Sequence, residues 1–282
     1  MKNKAKPQWI KVKALSEEAY STIISVSRKY NLHTVCQEAL CPNINECWSS
    51  RTATFLLMGN ICTRNCRFCS VKTGNPHCYL DKEEPLNIAE AIREFGLKYV
   101  VLTSVDRDDL EDGGAEHFAE TIREINRINS STVIETLIPD FNCKISSLKK
   151  VISAKPYIIG HNIETVERLS PYLRDNRADY KKSLNVLKSV KKINPKILTK
   201  SAIQLGFGET EKEVKQTLND LKGNSIDIIV IGQYLRPTNK QIQVVEYIHP
   251  DKFSQYKYYA ESLGFLRVIS FPLARSSYKA FN

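Results

Sequence analysis

The sequence predicts an α/β fold, a partial (open) parallel β/α barrel of about six strands with N- and C-terminal extensions. Two patterns and one motif carry that expectation. Strand-like and helix-like runs alternate between residues 54 and 231, which calls for parallel strands joined by right-handed crossovers. Polar and glycine-rich residues gather where those strands should end, the rim on which α/β barrels build their sites. Three thiols at C-x3-C-x2-C spacing, Cys62, Cys66 and Cys69, stand at that rim directly after the first strand. A doubly wound sheet is the rival closure.

Ahead of the barrel, Ala19, Ile23 and Val26 recur at helical spacing and predict a helix over 16–30. Cys36, Cys41 and Cys47 follow at C-x4-C-x5-C spacing. The apolar run at 54–59 is the first strand and delivers the cysteine loop at its end. Five more strands are expected at 99–103, 132–138, 157–160, 197–205 and 226–231. Helices are expected along Ala115, Phe118, Ala119, Ile122 and Ile125, over 145–151, along Tyr180, Leu184, Leu187 and Val190, and over 210–221. The tail reads as a helix around 253–263 and a short strand at 267–271. The rim residues are those at 103–106, 135–136, 161–164, 204–209 and 232–234. Residues 1–50 then form an N-terminal extension, 51–235 the barrel core and 236–282 a C-terminal extension.

With 282 residues and a mean hydropathy of -0.33, the chain suits one large globular fold. No apolar run reaches the ~18 residues that spanning a bilayer needs. The lysine-rich start is followed by no apolar core of a secretory signal, so a cytoplasmic location is expected. Six of the eight cysteines fall between Cys36 and Cys69, which favours metal ligation over disulfides in a long chain of this kind. Neither group contains two C-x2-C knuckles, a pattern that favours iron–sulfur over zinc. Three thiolates leave a four-iron cluster one ligand short, hence with a position open to chemistry. The net charge is +10, and residues 181–200 hold seven lysines and no acid. That stretch is either a solvated helix face or a dock for an acidic partner.

The C-x3-C-x2-C group with Phe68 before its third cysteine is the signature of the radical S-adenosylmethionine (SAM) enzymes, and the chain resembles that superfamily. The resemblance implies a barrel of radical SAM type. It further implies a [4Fe-4S] cluster on Cys62, Cys66 and Cys69 whose fourth iron chelates SAM, and a 5'-deoxyadenosyl radical as the reactive species. Thr103, Ser104, Asn162 and Glu164 stand at strand ends where that fold contacts SAM. Phe68 has two readings, packing on the adenine or in the core. Arg64 and Arg67 either bring positive charge to the cluster or are plain loop residues. His161 reads as a structural hydrogen-bonder. Lys200 and Arg275 are candidates to meet charged groups in the cavity.

Within the superfamily the chain is similar to the lipoyl synthase family along nearly its whole length. Matching stretches are 36–48, 62–69, 103–109, 112–115, 161–166, 232–235 and the terminal Arg275-Ser276-Ser277-Tyr278. The resemblance implies sulfur insertion at C6 and C8 of a protein-bound N6-octanoyl-lysine. It also implies a second, auxiliary [4Fe-4S] cluster on Cys36, Cys41, Cys47 and Ser277 as the sulfur donor. A serine oxygen is a harder ligand than a thiolate and should release iron more readily. Implied partners are octanoylated lipoyl carrier domains (2-oxoacid dehydrogenase E2 subunits and the glycine cleavage H protein) and a flavodoxin- or ferredoxin-type reductant, with neither nucleic acid nor membrane. The alternative is another two-cluster radical SAM sulfur transferase such as a tRNA methylthiotransferase. Two departures stand out. Phe271 precedes Pro272 where the family has glycine, and Ala274 precedes Arg275 where it has valine. Cys78 and Cys143 sit where the family needs no cysteine.

Overall fold

The computed structural model describes residues 6–10, 21, 24, 25, 27–38, 43, 46, 47 and 51–277, with no side chain for Cys36. Most of the helix expected over 16–30 lies outside the described residues, as do Cys41 and Tyr278. The described residues fall into two compact units. Those within Lys13–Arg64 and Val71–Ile159 make the N-terminal unit; those within Met1–Val12, Asn65–Ser70 and Gly160–Tyr278 make the C-terminal unit.

The N-terminal unit contains β1 (Thr52–Leu57), β2 (Ile61–Cys62), β3 (Lys72–Thr73), α1 (Glu84–Phe95), β4 (Tyr99–Ser104), α2 (Ala115–Ile128), β5 (Val133–Leu137) and α3 (Ile145–Ser153). Strand β4 lies between β1 and β5, all parallel, with Phe55 opposite Leu102 and Val101 opposite Glu135. Val100, Val101 and Leu102 are fully buried in succession, the unbroken apolar run of a strand covered on both faces. Helix α1 is an element that the sequence reading lacks. It has no side-chain N-cap, and its buried face rests on the small Ala89 and Ala91 beside Ile88 and Ile92, so its periodicity is faint. After β5 the backbone makes an unusual turn. Phe141, Asn142 and Cys143 all lie in the left-handed region, at φ 46°, 51° and 58°. Such a conformation costs an L-residue about 1–2 kcal/mol. Burial of Phe141 against Phe118 and the Asp140 carboxylate, which accepts from the Asn142 N–H at 2.9 Å, hold it in place.

Strand β6 (Ile158–Gly160) is where the chain passes into the C-terminal unit, which contains α4 (Tyr180–Ile193), β7 (Leu198–Leu205), α5 (Glu211–Gly223), β8 (Ile228–Gln233), α6 (Pro250–Ser262) and β9 (Arg267–Ser270). Strand β8 lies between β7 and β9, again all parallel. The short strand expected in the tail is therefore a full sheet partner of β8. Asp179 caps α4 by accepting from the Lys182 N–H, and Thr210 with Glu213 forms a capping box at the start of α5. On one side of the strands Ile203, Leu205, Ile229 and Ile231 pack with Leu184, Leu187, Val214 and Leu218 in one core. On the other side Ala202 and Val230 pack against Ala274. Burying each large aliphatic side chain contributes about 1.5–3 kcal/mol. Among the described residues no helix is long and apolar enough to cross a membrane.

Candidate metal centre

Strands β2 and β3 pair in parallel, and the Gly74 N–H donates to the Cys62 carbonyl at 2.9 Å. This closes the base of the cysteine loop. On the N-terminal side, Cys62 Sγ accepts backbone N–H bonds from Arg64 at 3.4 Å and Asp106 at 3.3 Å. Thr63 binds the segment after β4 through its N–H and hydroxyl, both donating to the Asp106 carbonyl. Arg64 is buried. Its guanidinium forks onto Asp108 at 3.0 and 2.8 Å and onto Asp140 at 2.8 and 2.8 Å, with Asp106 at 3.4 Å. Burial opposes its charge, but the hydrogen bonds it donates to Asp140 and Asp108 outweigh burial and hold its pKa above the ordinary value. Buried and paired with three carboxylates, Arg64 is not a plain loop residue.

In the C-terminal unit, Cys66 Sγ accepts the Asp175 N–H at 3.3 Å, and the Asp175 carboxylate accepts the Asn65 N–H at 2.8 Å. Burial pushes the Cys66 thiol up to about 12, with Cys69 and Glu164 adding to the rise. Ligation there therefore displaces a proton. Arg67 stacks on Tyr172 at 4.0 Å and is exposed. Phe68 packs against the core beside Phe207, ring centroids 6.2 Å apart, which is the core role of its two readings. The Cys69 carbonyl accepts from Gln241 at 3.1 Å, and the Arg67 carbonyl from the Ile242 N–H at 3.0 Å.

The strand ends of the same unit converge on the chain's C-terminal segment. Glu164 sits at φ 67° and accepts from Gln204 at 2.8 Å; Asn162 reaches Ser276 Oγ at 3.5 Å. The Phe271 N–H donates to Ile231 O and the Gln233 N–H to Pro272 O, which lays the segment along β8. Gly232 permits that approach, since a Cβ there would lie 2.2 Å from the Ala274 carbonyl oxygen. Gly206, at φ 112°, is needed for conformation as well as space: a Cβ would meet Gln233 at 2.2 Å. Ser277 is half-buried at the end of this segment. His161 is buried against Ser183 at 2.9 Å, as a structural hydrogen-bonder should be. Lys200 is buried and Arg275 donates to the Ala274 carbonyl at 2.7 Å.

At the end of β4, the Thr103 hydroxyl donates to Leu137 O at 3.0 Å, whereas the buried Ser104 Oγ has no partner. Cys47 is half-buried in the N-terminal unit and its N–H donates to Asn43 O at 3.1 Å. Cys36 belongs to that unit and Ser277 to the other, while Cys41 lies outside the described residues. No group of three His, Cys, Asp or Glu side chains among the described residues stands close enough to hold a metal ion. Cys78 is exposed, with its thiol donating to Asp109 O at 3.0 Å. Of the acids behind Arg64, Asp106 lies in the expected rim, and the pairing with Asp108 and Asp140 was missed. A signal was present for two of the three, since Asp106 and Asp108 directly follow a strand end.

The family model of the radical SAM superfamily matches residues 56–221. Lipoyl synthase of Caldicellulosiruptor saccharolyticus is 52% identical over 98% of this chain and 96% of the relative. Lipoyl synthase of Francisella tularensis subsp. mediasiatica is 50% identical over 98% and 84%. The chain belongs to the lipoyl synthase family of the radical SAM superfamily. Two solved structures share the fold at low identity. Methylornithine synthase has a TM-score of 0.58 at 12% identity, covering 95% of this chain and 84% of the other. The FeFe-hydrogenase maturase of Carboxydothermus hydrogenoformans has a TM-score of 0.60 at 15% identity, covering 90% and 70%. The expected radical SAM α/β fold is thereby shown, and membership implies SAM and iron–sulfur chemistry. The donor set fits. None of Cys62, Cys66 and Cys69 is in a disulfide, backbone N–H groups already point at two of the sulfurs, and Ser104 Oγ is a buried polar atom in want of a partner.

Proposed function

We propose that this chain inserts sulfur at C6 and C8 of an N6-octanoyl-lysine on a lipoyl carrier domain. The observation that carries the reading is the 52% identity to a lipoyl synthase across nearly both chains. On this reading Cys62, Cys66 and Cys69 hold a [4Fe-4S] cluster, and Cys36, Cys41, Cys47 and Ser277 hold a second. With SAM bound, the first cluster supplies a carbon radical able to take hydrogen from an unactivated C–H bond, which no side-chain base can do.

The protein's own residues prepare that chemistry. The Arg64, Asp106 and Asp175 N–H groups donate to the sulfurs of Cys62 and Cys66 and so stabilise thiolates there. On this reading Thr103 and Ser104 in the N-terminal unit, and Asn162 and Glu164 in the C-terminal one, hydrogen-bond the amino and ribose groups of SAM. The docking of residues 271–277 along β8 supports a role for Ser277 at the same strand ends. Substrate-side partners are E2 subunits and the glycine cleavage H protein, with a flavodoxin- or ferredoxin-type reductant, in the cytoplasm. The tRNA methylthiotransferase alternative loses ground because the lipoyl synthase match extends through 98% of the chain.

Anaerobic reconstitution with iron and sulfide should give about eight irons per chain for two four-iron clusters. Adding SAM, reductant and an octanoyl-lysine peptide should then yield the dithiolated peptide by mass spectrometry; a peptide of unchanged mass beside released 5'-deoxyadenosine refutes sulfur insertion. The lysine-rich helix is a poor carrier dock. Helix α4 runs back to the start of β7, where Lys191 pairs with Asp227, so Lys188 and Lys192 lie at the strand end away from Leu205. Replacing both with glutamate is expected to leave the KM for the carrier within twofold (about 0.4 kcal/mol). A rise of about tenfold would restore the docking role.

A further inference from the structure

The end of β1 is held more firmly than a strand end requires. Met58 and Gly59, which lead from it into the cysteine loop, both lie in the left-handed region, at φ 65° and 82°. Met58 is gripped at three points. Its N–H donates to the buried Glu84 carboxylate at 2.8 Å, and the same carboxylate oxygen meets His117 Nε2 at 2.6 Å. Its carbonyl accepts from Arg107 at 3.4 Å. Its sulfur fills the space over Gly114, where a Cβ would lie only 2.2 Å away. Arg107 is 1% exposed and forks onto Asp109 at 2.8 and 2.8 Å. The Asp109 carboxylate also accepts the Cys78 N–H at 2.8 Å, and its carbonyl accepts from the Cys78 thiol at 3.0 Å. His77 and Cys78 are left-handed too, at φ 54° and 59°. The stretch from Met58 to Cys78 carries all three loop cysteines. Two strained corners bound it, and one buried ion pair reaches both. Asp106, next to Arg107, donates its N–H to Cys62 Sγ between them. Strained residues persist where the surroundings over-determine them, and they concentrate at functional sites.

We propose that Arg107 and Asp109 are positioning residues, a clasp that ties the entry and the exit of the cysteine loop to the end of β4 and so holds Cys62 where it receives the Asp106 N–H. Glu84 and His117 brace the entry side. The consequence for a cluster rests on the reading that Cys62, Cys66 and Cys69 carry one. A loop whose ends are already joined has less disorder to lose when it binds, and it releases its metal more slowly.

Replacing the pair with apolar residues of similar size, Arg107→Met together with Asp109→Leu, removes the clasp without leaving a buried charge alone, an exchange that is often neutral for stability. In the metal-free protein, amide exchange read by mass spectrometry should rise about tenfold in peptides covering 58–64 and 75–80, with those covering 118–125 and 133–137 unchanged. In the reconstituted protein, iron loss to a chelator should be about tenfold faster. Asp109→Asn keeps an acceptor for the Cys78 N–H and half of the fork, so it should show a smaller rise in both. If the double variant does not fold, Asp109→Asn decides the matter. Parental exchange at both corners would overturn the clasp. A rise spread evenly over the N-terminal unit would overturn it as well, since that is the mark of a plain core pair. Looser corners with iron loss at the parental rate would overturn the role toward the cluster. A parent protein that takes up no four-iron cluster would instead sink the cluster assignment, while the exchange arm would still report on the clasp.

Discussion

Gly232→Ala is expected to abolish sulfur insertion while leaving SAM cleavage in place. The new Cβ would lie 2.2 Å from the Ala274 carbonyl oxygen and 3.1 Å from its carbon, and both are backbone atoms that no rotamer change can move. The segment would have to leave β8, breaking the pairing of Gln233 with Pro272 and carrying Ser276 away from Asn162. A displacement of even 1 Å in a reacting group costs about 100-fold in rate. Dithiolated octanoyl peptide should therefore fall by about that factor, with 5'-deoxyadenosine release near the parental level. Equal loss of both products would mean that the segment serves the whole fold and not one half of the reaction.

The second large effect concerns stability. Asp140→Ala removes one fork from buried Arg64 and the acceptor that holds the Asn142 N–H in its left-handed turn. Leaving a buried charge short of its partner costs about 3 kcal/mol or more. For a chain of this length that lowers the melting temperature by about 5 °C or more. Asp140→Asn, which keeps the acceptor and part of the fork, should lose less than half as much. The comparison is read by calorimetry on metal-free protein. Identical melting of both variants and the parent would show that Asp106 and Asp108 suffice.

The parts of the molecule visible in the sequence were those with a strong local signal. Period-2 and unbroken apolar runs located the strands to within one or two residues, because parallel strands buried on both faces have few polar interruptions. Helix α1 was hidden by its alanines, and β9 looked like a tail fragment because a parallel partner lies far away in sequence. The site shows the same division. Cysteine spacing is local and was legible. The bonds that fix those cysteines, from Asp106 to Cys62 or from Asp175 to Cys66, span 44 and 109 residues, beyond the reach of any periodicity. The ion pairs of Arg64 were out of reach for the same reason, since they involve acids up to 76 residues away.

Residues Asn65–Ser70 belong to the C-terminal unit although both flanks belong to the N-terminal one. That membership sets a clock on biosynthesis. Gln241, which closes on the Cys69 carbonyl, is made 172 residues after it. At about 5–20 residues per second the ribosome needs roughly 9–34 s to reach it. Throughout that interval Cys69 lacks this contact, although Asp175, which bonds Cys66, is made earlier, and non-local contacts of this range are slow to form. On the proposed reading, cluster delivery to this chain is therefore expected late in its maturation. Thiol protection during synthesis, rather than the finished fold, is what should govern how much active protein a cell recovers.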